Sequence, residues 1–183
     1  MTSSDREKGR IVRTAKGIQV LIRPVTPDDR PKLLDFVRRL SPETRYRRFH
    51  IPIPDPPPEE LLRRVSEVLY VPPERGAALV AVHNGDIVGS AHYVRDPEKN
   101  TWAEAAVVVR DDFQGQGLGT RLLRELARHA AEQGIRVLYA YIQPDNERVL
   151  RIVRKAHFPL RTSVEQGLMR VDVLIHGQNS VVP

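Results

Sequence analysis

The chain has 183 residues, 40% apolar and 28% charged, with a net charge of +6 and a pI near 10.0. That length suits one domain and cramps two. It contains no cysteine, which excludes disulfides, thiolate metal sites and a covalent cysteine intermediate. No apolar run is long enough to cross a bilayer and the N-terminus (Met1-Thr2-Ser3-Ser4-Asp5) is polar, so no membrane segment and a cytoplasmic location are expected.

Residues 1–16 lack periodicity and read as a flexible tail, with one domain over 17–176 and a short C-terminal tail at 177–183. Gly17 to Val25 alternates as a first strand. Thr26 or Asp28 is placed to cap a helix carrying Leu33, Leu34, Phe36, Val37 and Leu40. Ser41-Pro42-Glu43 opens a second, short helix holding Arg45, Arg47 and Arg48, beside Arg38 and Arg39. That cluster reads as a solvated helix face, because no zinc-finger spacing, RNA-binding aromatic motif or basic zipper accompanies it. Nucleic acid is therefore not expected as a partner. Pro52 to Pro58 is a proline-dense loop, either a structured connection or a lip on the substrate side. Glu59 to Leu69 is amphipathic.

The pattern then changes to period two. Ala77 to Val82 and Ile87 to Val94 flank Asn84-Gly85, a pair suited to the positive φ angles of a tight hairpin. Trp102 to Arg110 is a further strand, and Leu118 to Gln133 is a helix with an apolar stripe that Gly134 ends. Val137 to Ile142 is a strand, Pro144 to Lys155 a helix, and two last strands flank Glu165-Gln166-Gly167. Seven strands and five helices in this order predict an α/β mixed sheet, largely antiparallel, with helices packed on it. His50, His83, His92, His129, His157 and His176 are scattered without ligand spacing, so no metal is expected.

Between the Trp102 strand and the Leu118 helix stands Gln114-Gly115-Gln116-Gly117-Leu118-Gly119-Thr120. A glycine turn that opens a helix aims several N–H groups and a positive helix end at one point, which suits a pyrophosphate. No Lys follows the glycines as a Walker loop requires, and Thr120 stands where a dinucleotide fingerprint needs its third Gly. The spacing is Gln-x-x-Gly-x-Gly.

This segment, with the element order around it, resembles the Gcn5-related N-acetyltransferase (GNAT) superfamily over roughly residues 17–176. The match is nearest to bacterial Pat-like protein lysine acetyltransferases. It is carried by Ile22-Arg23-Pro24, Leu40-Ser41-Pro42-Glu43-Thr44-Arg45-Tyr46, Tyr93-Val94-Arg95-Asp96, Ala103-Glu104-Ala105, the glycine loop and Asn146. The resemblance implies acetyl-CoA as co-substrate. Backbone groups of Val107, Val108 and Val109 would hold the pantetheine arm, the N–H groups from Gly115 through Gln116, Gly117, Leu118 and Gly119 to Thr120 the pyrophosphate, and Asn146 the arm again. Asn146 is equally suited to capping its helix, and the two roles are compatible.

Glu104 is the candidate catalytic residue. In a strand it shares a face with Trp102, Ala106 and Val108, so it is expected among apolar neighbours. It stands roughly 16 Å before Val109 along an extended strand. The resemblance implies a general-base Glu in this strand, and the alternative is an exposed residue paired with an Arg. A lysine amine presented neutral at pH 7 costs about 4.6 kcal/mol, which gives such a base its task. The sequence departs from the family in two places. Val153 stands where many members carry a Tyr that protonates the leaving thiolate, and His157-Phe158 replaces the usual Gly-Phe. The expected activity is direct acetyl transfer to an amine, with a protein lysine as acceptor. A small-amine acetyltransferase and a non-catalytic acyl-CoA sensor are the rivals.

Overall fold

The computed structural model describes residues 9–175. The first eight residues and the expected C-terminal tail lie outside that range. In chain order the elements are β1 (Arg10–Arg13), β2 (Gln19–Pro24), a 3-10 turn (Pro27–Asp29) leading into α1 (Arg30–Arg38), α2 (Pro42–Phe49) and α3 (Glu59–Glu67). Then come β3 (Gly76–His83), β4 (Asp86–Arg95), β5 (Trp102–Val109), a second 3-10 turn (Asp111–Phe113) and α4 (Leu118–Glu132). β6 (Val137–Ile142), α5 (Glu147–Ala156), β7 (Leu160–Glu165) and β8 (Leu168–Leu174) complete the chain.

The strands form one sheet in the order β1-β2-β3-β4-β5-β6-β8-β7. Every neighbouring pair is antiparallel except β5 and β6. The sheet has eight strands, not the seven expected. The additional one is β1, inside the stretch expected to be a flexible tail, where Arg10 to Arg13 pair with Ile22 to Gln19. Its four residues bury only Val12, too little to write a period into the sequence.

Two apolar cores lie on opposite faces. One packs Leu118, Leu122, Leu126 and Ala130 of α4 against Val88, Ala91, Tyr93, Ala103 and Val109 of the sheet. The other packs Leu33, Phe36 and Val37 of α1 and Leu62 and Val65 of α3 against Val80, Ile87 and Val108. Residues 107–109 thus feed both cores by strand alternation. The hairpin turns on Asn84 and Gly85, at φ 49° and 85°. Gly134, at φ 80°, ends α4, and beyond it the Ile135 N–H returns to the Ala130 carbonyl at 3.0 Å, as a left-handed C-terminal cap requires.

The entry into α1 is held by Asp29, 2% exposed. Its carboxylate accepts two bonds from the Arg23 guanidinium, at 2.6 and 2.8 Å, and one from the Thr26 N–H at 2.9 Å. The Arg23 bonds, reinforced by the Thr26 N–H, outweigh burial and pull its pKa down to about 2 from 3.8. A depressed carboxyl pKa stabilises the fold above the unfolded value, and that contribution is lost as pH falls through the folded one. Asp29→Asn is therefore expected to lose about 2 kcal/mol at pH 7. Urea unfolding should show the deficit constant at neutral pH and shrinking below pH 4.

Candidate functional site: a parted sheet and the cavity it opens

β5 and β6 pair only at Trp102↔Val137, Ala103↔Leu138 and Glu104↔Tyr139, although β5 runs on to Val109 and pairs with β4 along Ala103 to Val109. β6 meanwhile pairs with β8 along its full length. The two strands therefore separate after Glu104. A cavity of 520 Å³ fills the gap, lined by Ala105 to Val109 on one side and by Leu138 to Ile142 on the other. Beyond Val109 the Arg110 N–H bonds the Val88 carbonyl of β4 at 2.9 Å. By the alternation of an antiparallel pair, Ala106 and Val108 also turn their backbone groups to β4. Val107 and Val109 turn theirs to the cavity, as does the Ala105 carbonyl, while the Ala105 N–H still serves the Glu104↔Tyr139 bridge to β6. Of the three valines singled out from the sequence, the structure thus offers the backbone of two.

The glycine loop closes the far end of this wall. Gly115 and Gly117 have φ 72° and 82°, a region that costs an L-residue about 1–2 kcal/mol. No backbone N–H from Gly115 to Thr120 has an acceptor among the described residues. Gly115, Gly117, Leu118, Gly119 and Thr120 all line the cavity. Gln114 also lines it and acts as a bracket: its amide donates to the Val109 carbonyl at 2.9 Å and to Thr44 Oγ1 at 3.2 Å. Its carbonyl accepts from Arg148 at 3.0 Å. Gln116 turns the other way, 4% exposed, its amide donating to the Asp112 carbonyl. Only its backbone belongs to the loop.

α5 forms the opposing wall. Asn146 lines the cavity and caps the helix, its side-chain oxygen accepting from the Val149 N–H at 3.4 Å. Val149, Ile152 and Val153 continue that wall. Gly119 is the point of closest approach to α5, since a Cβ there would lie 2.6 Å from Ile152 Cδ1. His157 is exposed and caps the helix at φ 60°, the conformation that explains a glycine at this place in relatives. Arg148, Arg151 and Lys155 bring positive charge to the rim.

On the sheet face that carries α2, Glu104 departs from expectation. It is exposed rather than enclosed by apolar side chains, between Val94 on β4 and Tyr139 on β6. It lines a separate groove of 360 Å³ with Glu74, Arg75, Arg95, Asp96 and Pro97. Tyr139 lines both spaces, so it stands between groove and cavity beside Glu104. Burial, with a hydrogen bond to Asp96, pushes the Tyr139 hydroxyl up to about 12.

The arginine cluster is corrected as well. Arg45 is 1% exposed, bonded to Asp55 of the proline loop at 2.7 Å. Arg47 meets Glu43 and Asp145. Arg48 lines the cavity and bonds His92 Nε2 at 3.2 Å. A guanidinium only donates, so Nε2 accepts and the imidazole proton sits on Nδ1. His92 is 7% exposed, and burial, aided by the Arg48 charge, pushes its pKa down to about 3. Burial lowers Arg48 itself to about 10, with the Glu104 charge opposing. These groups escape a sequence reading because nothing in a run of arginines says which ones turn inward.

A crossover helix beside a parted parallel pair, with free N–H groups at its start, leaves a cavity with unpaired backbone on one wall and donors suited to an anion at its end. The GNAT acetyltransferase family model matches residues 38–158, and the chain belongs to that family. It is 38% identical over 128 residues to an acetyltransferase of Pseudomonas aeruginosa, spanning 68% of this chain and 66% of that protein. It is 31% identical over 147 residues to the acetyltransferase Pat of Mycolicibacterium smegmatis, spanning 78% of this chain and 42% of that one. The chain thus covers less than two thirds of either relative. The GNAT domain of S. lividans PAT superposes with a TM-score of 0.80 at 25% identity, over 95% of this chain and 99% of that domain.

The His92 seat has a measurable signature. A histidine whose folded pKa lies below its ordinary 6.5 stabilises the fold above that value and loses the contribution as pH falls toward the folded value. Unfolding free energy should therefore decline between pH 6.5 and 4 with the slope of one proton. His92→Gln should flatten that slope, and an unaltered slope would assign it elsewhere.

Proposed function

We propose that the chain is an N-acetyltransferase that moves an acetyl group from acetyl-CoA directly to an amine, with Glu104 as general base and a protein lysine as acceptor. One observation carries the reading: the unpaired Ala105 carbonyl, the Val107 backbone and the Val109 N–H run straight into the free N–H groups of residues 115–120. Unpaired backbone inside a fold is costly unless a ligand satisfies it. A pantetheine amide arm ending in a pyrophosphate has hydrogen-bonding groups in that sequence, and the apolar walls Leu138, Val149 and Val153 suit its aliphatic parts.

In the step proposed, the amine lone pair forms a bond to the acyl carbon. The C–S bond breaks with its electron pair going to sulfur. The amine proton passes to Glu104, directly or through one water, and the thiolate takes its proton from solvent. Val153 is buried at 5% exposure and offers no proton from its side chain. The protein-lysine acceptor is supported by the groove, where Val94 and Pro97 suit an aliphatic stem and Asp96, Glu74 and Glu104 suit an ammonium tip. Because Glu104 is exposed and lies outside the main cavity, it meets an acceptor arriving from the groove without obstructing the thioester.

Glu104→Gln is expected to lower kcat by about 10²–10⁴-fold, while calorimetry shows acetyl-CoA binding unchanged. Unchanged turnover would remove Glu104 from the role. Labelled acetyl-CoA incubated with host lysate reads the acceptor: a labelled protein band supports lysine, and a labelled small amine replaces it.

A further inference from the structure

Arg48 is set apart from the other inward-turned arginines. Arg23, Arg45, Arg47, Arg110 and Arg170 each reach a carboxylate within 4.0 Å. Arg48 has no such pair among the described residues. Its hydrogen bond goes to a neutral imidazole, its Nε is buried without a partner, and its guanidinium lies 5.0 Å from the Phe49 ring centroid. The opposite charge that acts on it is Glu104. Its charge is therefore only partly answered, and it lines the cavity that Tyr139 divides from the groove. His92, its seat, lies directly across from Ala106, two residues along β5 from Glu104.

The position matters because of what Glu104 does by itself. A carboxylate attracts the ammonium form of an approaching amine, which has no lone pair and cannot attack. A second, like-charged group near the amine opposes that form. We propose that Arg48 is the electrostatic residue of the transfer site, holding the incoming amine in its neutral state beside Glu104. This rests on amine transfer as read above. Arg48 already acts in this sense on two bases: it is a cause, after burial, of the lowered pKa values of His50 and His92. The acceptor amine would be the third. The other charged or titratable groups around that place are Glu104 on β5, Tyr139 on β6, His92 on β4 and His50 at the end of α2. Farther out are the Arg47–Glu43–Asp145 network and Arg148. Glu74, Arg75, Arg95 and Asp96 stand on the groove walls.

The test is the pH dependence of kcat from pH 6 to 10, with acetyl-CoA and a lysine peptide, the probe acceptor, both saturating, so that the bound amine is read. Wild type, Arg48→Met and Arg48→Lys are compared. Arg48→Met should move the ascending limb up by about one pH unit and lower kcat about tenfold at pH 7, with the deficit shrinking as pH 10 is approached. Arg48→Lys should restore the limb. The deficit of Arg48→Met should shrink for an aminoethylcysteine peptide, whose amine is less basic than that of lysine. A loss of the same factor at every pH, or a Lys variant as impaired as the Met variant, would make Arg48 a packing residue and overturn the proposal. A wild type that binds acetyl-CoA but acetylates neither peptide would overturn the transfer reading together with it.

Discussion

The parting of β5 from β6 is the constraint on which the rest of the architecture depends. A sheet interior normally spends its backbone groups on neighbouring strands, and those left unpaired away from water are costly. Here β6 stays with β8 along Val137 to Ile142 on one edge, while its other edge leaves β5 after Glu104. The fold therefore carries a strip of unanswered donors and acceptors at its centre. Gln114 satisfies one of them, the Val109 carbonyl. It does so while also bonding α2 through Thr44 and meeting α5 through Arg148. One side chain thereby fixes the width of the wedge from three elements. The glycine spacing around it serves the same end, since a Cβ at Gly119 would lie 2.6 Å from Ile152 Cδ1 and force that side chain to move.

The two faces of the parted sheet then acquire different chemistry. On the side of α4 and α5 the walls are apolar, with positive charge only at the rim. On the side of α2 they carry Glu104, His92, Arg48 and Tyr139. Acyl transfer needs this asymmetry, because a thioester arm and a charged amine have opposite solvation demands and must meet at one carbon. α2 achieves the separation through its ends. Ser41 caps it by accepting from the Thr44 N–H at 3.2 Å and is itself bound to Asp111, which also accepts from Thr44 at 2.7 Å. That anchorage ties α2 to the 3-10 turn just before the glycine loop.

Much of this was legible in the sequence because it is written in local patterns. Period two marks β3 and β4, Asn84-Gly85 their turn, and the leucine stripe α4. The Gln-x-x-Gly-x-Gly spacing marks a loop that cannot be a Walker or dinucleotide site. What escaped was set by depth rather than by pattern. β1 has a single buried residue. Arg45, Arg47 and Arg48 look alike in a row of charges, yet only the docking of α2 on the sheet decides that Arg45 meets Asp55 and Arg48 meets His92. Glu104 shares a face with Trp102, Ala106 and Val108 as alternation requires, but alternation does not say what covers that face. Helices cover Val108, whereas the groove leaves Glu104 open.

Exposure of Glu104 changes what the general-base role proposed for it would require. A buried carboxylate acquires its basicity from desolvation, at the risk of being protonated before any amine arrives. An exposed one is open to the acceptor, yet a carboxylate stabilises the ammonium it would have to deprotonate. The two tasks, accepting the proton and disfavouring its presence on nitrogen, call for opposite charges close together but not in contact. A direct ion pair would neutralise both. Arg48 is kept from forming one by His92, whose neutral Nε2 takes its hydrogen bond. That histidine can do so only because burial denies it a proton. The apolar packing of β4 under α2 is thus the physical origin of the charge arrangement at the surface above it.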